Sequence, residues 1–242
     1  MTAYPLDLPS ILFLMLVIGL SFGFVALVLR LCAEATAPRR RLVTFGAAAA
    51  LASWLTFVGL LAWNGFFQVT DTIPPRFLLL LAPPLVAIVA SLFSKRLAQA
   101  FDDVRPELLI GFQSFRIVME WILHRLYRDG SIAALMTFEG RNFDILIGVT
   151  APLAALYVAK RGPASRWVAI GWNLFGLALL LNVVVHGVLS APTPLRMIIT
   201  TPPNTFVLAW PYCWLPAFVV PCALAGHLYS LRYWIRASDR AS

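Results

Sequence analysis

Seven apolar segments alternate with short polar connections along this chain. Each segment is close to the roughly 20 residues that an α-helix needs to cross a bilayer. In lipid every backbone N–H and C=O group must be bonded internally, and segments of this length and composition favour helices over barrel strands. The pattern predicts an all-α fold, a polytopic transmembrane helical bundle of seven spans, at approximately 11–30, 42–64, 77–94, 107–127, 143–159, 167–189 and 205–231.

Composition points to the same class of protein. Of the 242 residues, 60% are apolar and 12% are charged, and the mean hydropathy is +0.82. A soluble domain has about half of its residues apolar and about a quarter charged. These values exclude a water-soluble globule, and we expect one integral membrane domain over residues 1–242, with the lipid bilayer as a partner and no nucleic acid.

Basic residues predict the orientation of the spans, because cytoplasmic loops are enriched in Lys and Arg. With seven crossings, one side receives 13 of the 19 basic residues and the other side receives 5, while Arg116 lies within a span. The bias weakens if the segment 107–127 does not cross. We therefore expect the N-terminus outside and the C-terminus in the cytoplasm, in a bacterial cytoplasmic (inner) membrane. The 13 residues are Arg30, Arg39, Arg40, Arg41, Lys95, Arg96, Arg105, Lys160, Arg161, Arg166, Arg232, Arg236 and Arg240.

The segment 107–127 carries a polar stripe. At 100° per residue, Gln113, Arg116, Glu120, His124 and Tyr127 lie within about 80° of one another. Arg116 with Glu120, and Glu120 with His124, are i,i+4 pairs whose side chains can meet. Ionisable groups at the centre of a membrane cost at least about 2.5 kcal/mol each, so they pair and face the bundle interior or a water-filled cavity. We expect this helix to have a wet or closely paired inner face.

Other polar residues are predicted to lie at the same outer level. Residues 136–144 read MTFEGRNFD and precede the fifth span, and two more polar residues lie near the outer end of the sixth span. The candidate ligand-binding or proton-handling residues are Gln113, Arg116, Glu120, His124, Glu139, Arg141, Asn142, Asp144, Asn182 and His186.

A metal site is one alternative, because the chain has three histidines and a tri-histidine zinc site is a common catalytic arrangement. His227 lies 22 residues past the start of the seventh predicted span, which at 1.5 Å per residue is about 33 Å from its outer end. Only His124, His186 and a carboxylate such as Glu120 could then share a metal, and His227 is expected to be a packed or interfacial histidine. No cofactor is firmly implied. The three cysteines form no CxxC motif, so no disulfide framework or cysteine zinc site is indicated.

The arginines favour the binding of an anion. Arg116 and Arg141 carry planar, bidentate guanidinium groups suited to carboxylate or phosphate. We expect them to hold a small polar or anionic solute, which the protein transports, while Glu120 with His124 takes up or releases a proton. Two other classes stay open. One is an intramembrane enzyme, metal-dependent or acid–base, that acts on a lipid-like substrate; the other is a membrane sensor or assembly subunit in which the polar cluster only holds helices together.

Overall fold

The computed structural model describes residues 2–94, 97, 99, 101 and 104–239, with the backbone alone for 237–239. Helices make up most of this part of the chain, and its one β-type contact is an isolated bridge between Ala3 and Trp210. The predicted all-α class is confirmed. Three of the basic residues used to predict orientation, Lys95, Arg96 and Arg240, lie outside the described residues.

Three stretches of the described chain are long and apolar enough to cross a membrane: Leu8–Leu31, Ala37–Trp63 and Ile145–Ser190. A further apolar helix, Leu78–Phe93, is shorter. These stretches support a membrane protein, whereas the number of spans and their orientation stay predictions.

The chain divides into two compact units, and each is described by itself. The first unit consists of Met1–Asp103 and Thr205–Pro221, and the second of Val104–Asn204 and Cys222–Ser242. The prediction of a single membrane domain stays a prediction.

The first unit contains helices α1 (Leu8–Leu31), α2 (Ala37–Trp63) and α3 (Leu78–Phe93). Helix α1 begins where the Asp7 side chain accepts a hydrogen bond of 3.0 Å from the backbone N–H of Ser10, a side-chain cap that satisfies one of the free N–H groups of the first turn. The later part of the unit forms a 3-10 turn, Phe206–Leu208, and a π-helix, Leu215–Val219. The indole of Trp54 donates a bond of 3.0 Å to the Ala217 carbonyl, which ties α2 to the π-helix.

The second unit contains α4 (Pro106–Gly111), α5 (Phe115–Arg128), α6 (Ile145–Arg161) and α7 (Arg166–Ser190). It also contains all but the first two residues of α8 (Val220–Asp239). A 3-10 turn, Phe112–Ser114, continues α4 into α5. The predicted site residues lie on these elements or in the loop between α5 and α6.

Helices α6 and α7 form an antiparallel hairpin. The connection Gly162–Ser165 is a 3-10 turn that starts at Gly162 with φ +52°, a conformation that glycine adopts without steric cost. The indole of Trp172 donates 3.0 Å to Thr150 Oγ1, and the Asn182 amide donates 2.6 Å to the carbonyl of Arg141. The residue later in α7 thus bonds to the residue earlier in the chain, which shows that the two helices run in opposite directions.

The seventh predicted span is not a regular helix from Thr205. Residues 205–214 form a 3-10 turn and irregular backbone, and helical structure begins only at Leu215. Pro211 contributes to this break because proline has no N–H to donate to a helix. The depth estimate for His227 assumed a regular helix from Thr205, and that helix is absent. His227 lies about 10 Å along α8 from its start and is buried, as expected of a packed histidine.

Close backbone approach holds α5 against α6. A Cβ placed on Gly148 of α6 would lie 2.9 Å from the backbone nitrogen of Ile117 on α5. A Cβ on Gly111, in α4, would lie 3.4 Å from the Cβ of Ala155. Small residues at such points allow helices to pack backbone to backbone.

The Gly148→Ala variant tests this close approach. The added methyl group meets backbone, which cannot rotate away, so we expect a loss of about 1–3 kcal/mol of stability through overpacking and a lower thermal unfolding midpoint in detergent. Gly171→Ala on α7 is the matched control, because nothing lies within 4 Å of its Cβ position and alanine is the better helix former. Equal midpoints for the two variants would contradict the packing described here.

Candidate functional site

In its N-terminal half helix α5 buries charged side chains and exposes apolar ones, whereas its C-terminal half buries Ile122, Leu123 and Leu126 and exposes Arg125 and Arg128. Arg116 and Glu120 are each 2% exposed, whereas Ile117, Val118 and Trp121 are 40%, 42% and 42% exposed. A helix on the surface of a soluble protein shows the opposite arrangement. The polar stripe is therefore directed into the second unit.

Arg116 forms a buried ion pair with Asp144. Its Nη1 atom donates a hydrogen bond of 3.0 Å to Asp144 Oδ1, and the two side chains are 3% and 11% exposed. Asp144 immediately precedes α6, where a negative charge interacts favourably with the helix dipole. Its own backbone N–H donates to Asn142 Oδ1 at 3.1 Å, so the loop before α6 places the carboxylate opposite the guanidinium.

Glu120 is held by Asn142. The Asn142 amide donates 2.6 Å to Glu120 Oε1 and 3.1 Å to the carbonyl of Met136. The sequence-based expectation that Arg116 and Glu120 bond to each other across one helical turn therefore needs correction, because each finds its hydrogen-bond partner in the loop before α6. Arg116, Glu120, Asn142 and Asp144 together form a buried cluster.

The loop 131–144 covers the C-terminal half of α5. It contains a 3-10 turn, Ala134–Met136, and Gly140 lies so close to the Ala134 carbonyl that any side chain there would overlap it. At its edge, His124 Nδ1 lies 3.4 Å from Glu139 Oε1, and the imidazole stacks on Phe138 with ring centroids 4.8 Å apart. The predicted contact of His124 with Glu120 is replaced by this part-exposed pair.

Several atoms of the buried cluster and its neighbour Gln113 have no hydrogen-bond partner among the residues that the structure describes. They are Arg116 Nε and Nη2, Glu120 Oε2 and Gln113 Oε1. Gln113 Nε2, by contrast, donates 3.0 Å to the carbonyl of Ala223 on α8. Because buried polar groups in proteins are almost always bonded, these donors and acceptors have hydrogen-bonding capacity that the described residues do not use.

Three predicted site residues lie apart from the buried cluster. The Arg141 side chain is exposed, and its backbone carbonyl accepts the bond from Asn182. His186 Nδ1 lies 2.8 Å from the Asn182 carbonyl on its own helix. Within the described part of the chain, no three His, Cys, Asp or Glu residues are placed to hold a metal ion, so His124, His186 and Glu120 are not brought together as one metal site.

A second group of buried polar residues was not in the predicted site. Asn173, His227 and Ser230 are 1%, 0% and 0% exposed and bond to one another. The signal for Asn173 was a polar residue inside an apolar segment. His227 was excluded because of the assumed helix from Thr205, and Ser230 carries no distinctive sequence signal.

The fold and the buried cluster define a helical protein with helices apolar enough to span a membrane and a charged, incompletely bonded interior site. Residues 73–235 match a family described as Domain of unknown function (DUF8737), and since the match covers more than half of the chain, the protein belongs to this family. Comparison with curated proteins and with solved structures found no match. All residues of the buried cluster, together with Gln113 and His227, fall within the matched range.

Asp144→Asn tests the ion pair. The substitution leaves the Arg116 charge buried without its carboxylate, and breaking a buried pair in this way typically costs about 3–5 kcal/mol. We expect a clearly lower thermal unfolding midpoint in detergent. Glu139→Gln is the control, because the Glu139 carboxylate is 39% exposed and an exposed pair contributes about 0–1 kcal/mol. If Asp144→Asn unfolds at the wild-type temperature, the ion pair does not stabilise the second unit.

Proposed function

We propose that the chain is a seven-span protein of a bacterial-type inner membrane that binds a small polar or anionic solute at Arg116 and transports it together with a proton carried at Glu120. The observation that carries this proposal is the state of the Arg116 side chain. It is buried and bonded to Asp144 through Nη1, while Nε and Nη2 have no partner among the described residues.

The exposed apolar and buried charged side chains in the N-terminal half of α5 support the fourth span. From Pro106 to Arg128 the elements α4, Phe112–Ser114 and α5 contain 23 residues, which at 1.5 Å per residue extend about 34 Å and match the thickness of a bilayer. The exposed apolar face would contact lipid, and the charged face is turned inward, as is usual for ionisable residues in membrane helices.

The chemistry of the unbonded atoms supports an anion. A guanidinium with two free nitrogen donors presents the geometry that carboxylate and phosphate oxygens match. Arg116 is the one buried cation of the cluster, opposite the two carboxyl groups of Asp144 and Glu120. A bound anion would make the site strongly negative unless a carboxyl group were protonated at the same time.

This balance of charge supports coupling of solute and proton. Glu120 has one oxygen bonded to Asn142 and the other, Oε2, without a partner among the described residues, so it is the carboxyl group with a place for a proton. If the anion favours protonation of Glu120, the proton must favour binding of the anion by the same free energy. The half-exposed His124–Glu139 pair at the edge of the loop would then exchange protons with the outer solution.

An acid–base enzyme acting on a lipid-like substrate is the second candidate, and the His124–Glu139 pair favours it. An imidazole beside a carboxylate at a part-exposed position is a common arrangement for a general base. Such an enzyme would lose turnover in His124→Gln, whereas the transport proposal requires Arg116 and Glu120.

The seven-span topology predicts that residues 105 and 129 lie in different compartments. In a variant whose native cysteines are replaced by alanine, we expect Asp129→Cys to react with an impermeant maleimide added outside intact cells or spheroplasts, and Arg105→Cys to react only after permeabilisation. Ala164→Cys, in the turn between α6 and α7, serves as an inner control. Labelling of positions 105 and 129 from the same side would remove the fourth span and with it the proposed site.

Transport predicts distinct losses for Glu120→Gln and Arg116→Leu. In proteoliposomes tested with labelled phosphate and lactate, we expect Arg116→Leu to abolish uptake and Glu120→Gln to abolish its dependence on an imposed pH gradient. Asp129→Asn, in an exposed pair with Arg125, is the control and behaves like wild type to within about twofold. The reason is that the first change removes the anion donor and the second removes the proton site.

A purely structural cluster gives a different result. If Arg116 and Asp144 only hold helices together, a double replacement by Met and Asn would restore yield and thermal stability and would leave uptake unchanged. Uptake that survives in this double variant, or that is absent from the wild type with both solutes, would contradict the transport proposal.

A further inference from the structure

The second buried polar group fixes the chemical state of His227. The amide nitrogen of Asn173 donates to the Ala169 carbonyl at 2.8 Å and to Ser230 Oγ at 2.9 Å. Its amide oxygen is therefore the atom that lies 2.9 Å from His227 Nδ1, and it can only accept. The neutral imidazole must carry its hydrogen on Nδ1, which leaves Nε2 as an acceptor.

The other ring nitrogen is left free. His227 is 0% exposed, and Nε2 has no hydrogen-bond partner among the described residues. The ring edge lies directly against Gly176 of α7, where any larger side chain would overlap it. A buried acceptor without a donor is destabilising, a cost that an apolar side chain of the same size would avoid.

Register places Asn173, the hydrogen-bond partner of His227, at the level of Arg116. Gly148 packs on the backbone of Ile117, and two residues further along α6 Thr150 accepts a bond from Trp172, so Asn173 lies at the level of Arg116. The side chain of Gln113, one turn from Arg116 on the same face, packs on Gly226, where a Cβ would lie 2.5 Å from Gln113 Nε2.

The unpartnered atoms of Arg116, Gln113 and His227 include both hydrogen-bond donors and acceptors. Arg116 offers N–H donors through Nε and Nη2, whereas His227 Nε2 and Gln113 Oε1 offer acceptors. A ligand made only of anionic oxygens would satisfy the guanidinium and leave both acceptors unpaired. A ligand that also carries a hydroxyl group would satisfy both kinds of atom.

We propose that His227 is a ligand-binding residue of the Arg116 site and that the ligand is a small oxyanion which carries a hydroxyl group, such as a hydrogenphosphate or a 2-hydroxycarboxylate. The anionic oxygens bond to Arg116, and the hydroxyl group donates to His227 Nε2. Asn173 and Ser230 are positioning residues that hold the imidazole in the accepting form. This assignment rests on the proposed function, since it names the class of solute that Arg116 binds.

Two pairs of anions distinguish the effect of the ligand's hydroxyl group on affinity from the effect of its charge. At neutral pH phosphate retains a P–OH group and sulfate of the same shape has none, and lactate differs from propionate by one hydroxyl group. A site built to bond a hydroxyl group discriminates strongly against the analogue that lacks it. With the full chain in lipid nanodiscs, isothermal titration is expected to show at least about tenfold tighter binding of phosphate than of sulfate and of lactate than of propionate, or about 1.4 kcal/mol per pair.

Variants of His227 assign the preference to one atom. His227→Asn keeps a nitrogen near the Nδ1 position, which can still donate to Asn173, and lacks Nε2. His227→Phe fills the same space with no nitrogen. In both we expect the two preferences to fall to within about twofold, with the Arg116-dependent affinity for sulfate and propionate retained. His186→Phe is the matched control and keeps the wild-type preference, and thermal unfolding shows which variants are folded.

The outcomes distinguish this inference from the proposed function. Arg116-dependent binding without preference in either pair overturns the inference and leaves the proposed function standing. A preference that persists in the folded His227→Asn variant overturns the role of His227. If none of the four anions binds in a way that Arg116→Leu abolishes, the proposed function fails and the inference fails with it.

Discussion

A guanidinium group cannot be left unpaired inside a protein, and the architecture of the second unit follows from that constraint at Arg116. The charge is buried on α5 and is matched by Asp144 at the start of α6. To bring this carboxylate into place, the loop before α6 must fold back over α5, and Asn142 holds it there through Asp144 on one side and Glu120 on the other. Gly148 allows the two helices to approach closely enough for the pair to form. One electrostatic requirement therefore connects helix packing, loop conformation and the position of Glu120.

The hydrogen bonds of the buried cluster leave some polar atoms of Arg116 and Glu120 unpaired among the described residues. Within the described part of the chain, Arg116 has two nitrogens and Glu120 one oxygen without partners. An ion pair retained only for packing gains nothing from such atoms, because each unbonded polar group adds a desolvation cost that a saturated pair or an apolar replacement avoids. The same reasoning applies to His227, which Asn173 fixes as an acceptor and for which none of the described residues provides a donor to Nε2. Unpaired donors on Arg116 and unpaired acceptors on Glu120 and His227, among the described residues, are the physical basis for the proposal that this interior binds a ligand.

Helix α5 combines exposed apolar side chains with buried charged ones. Helix α5 turns Ile117, Val118 and Trp121 outward and Arg116 and Glu120 inward, an arrangement that is favourable where the surroundings are lipid and unfavourable in water. The family match, over residues 73–235, contains the whole of the buried cluster but leaves α1 and α2 outside. The buried cluster therefore lies entirely within the range that matches the family.

Hydropathy and helical periodicity by themselves determined the helical class, most of the helix positions and the polar face of α5, because these depend on residues close together along the chain. They did not determine which side chains would bond. Arg116 pairs with a residue 28 positions away and His227 with one 54 positions away, and such choices depend on loop folding and helix register, which no local pattern encodes. The start of the last helix was likewise set by the irregular backbone of residues 205–214 and not by their apolar character. Local chemistry thus specified the faces of the helices, and tertiary packing decided which faces meet.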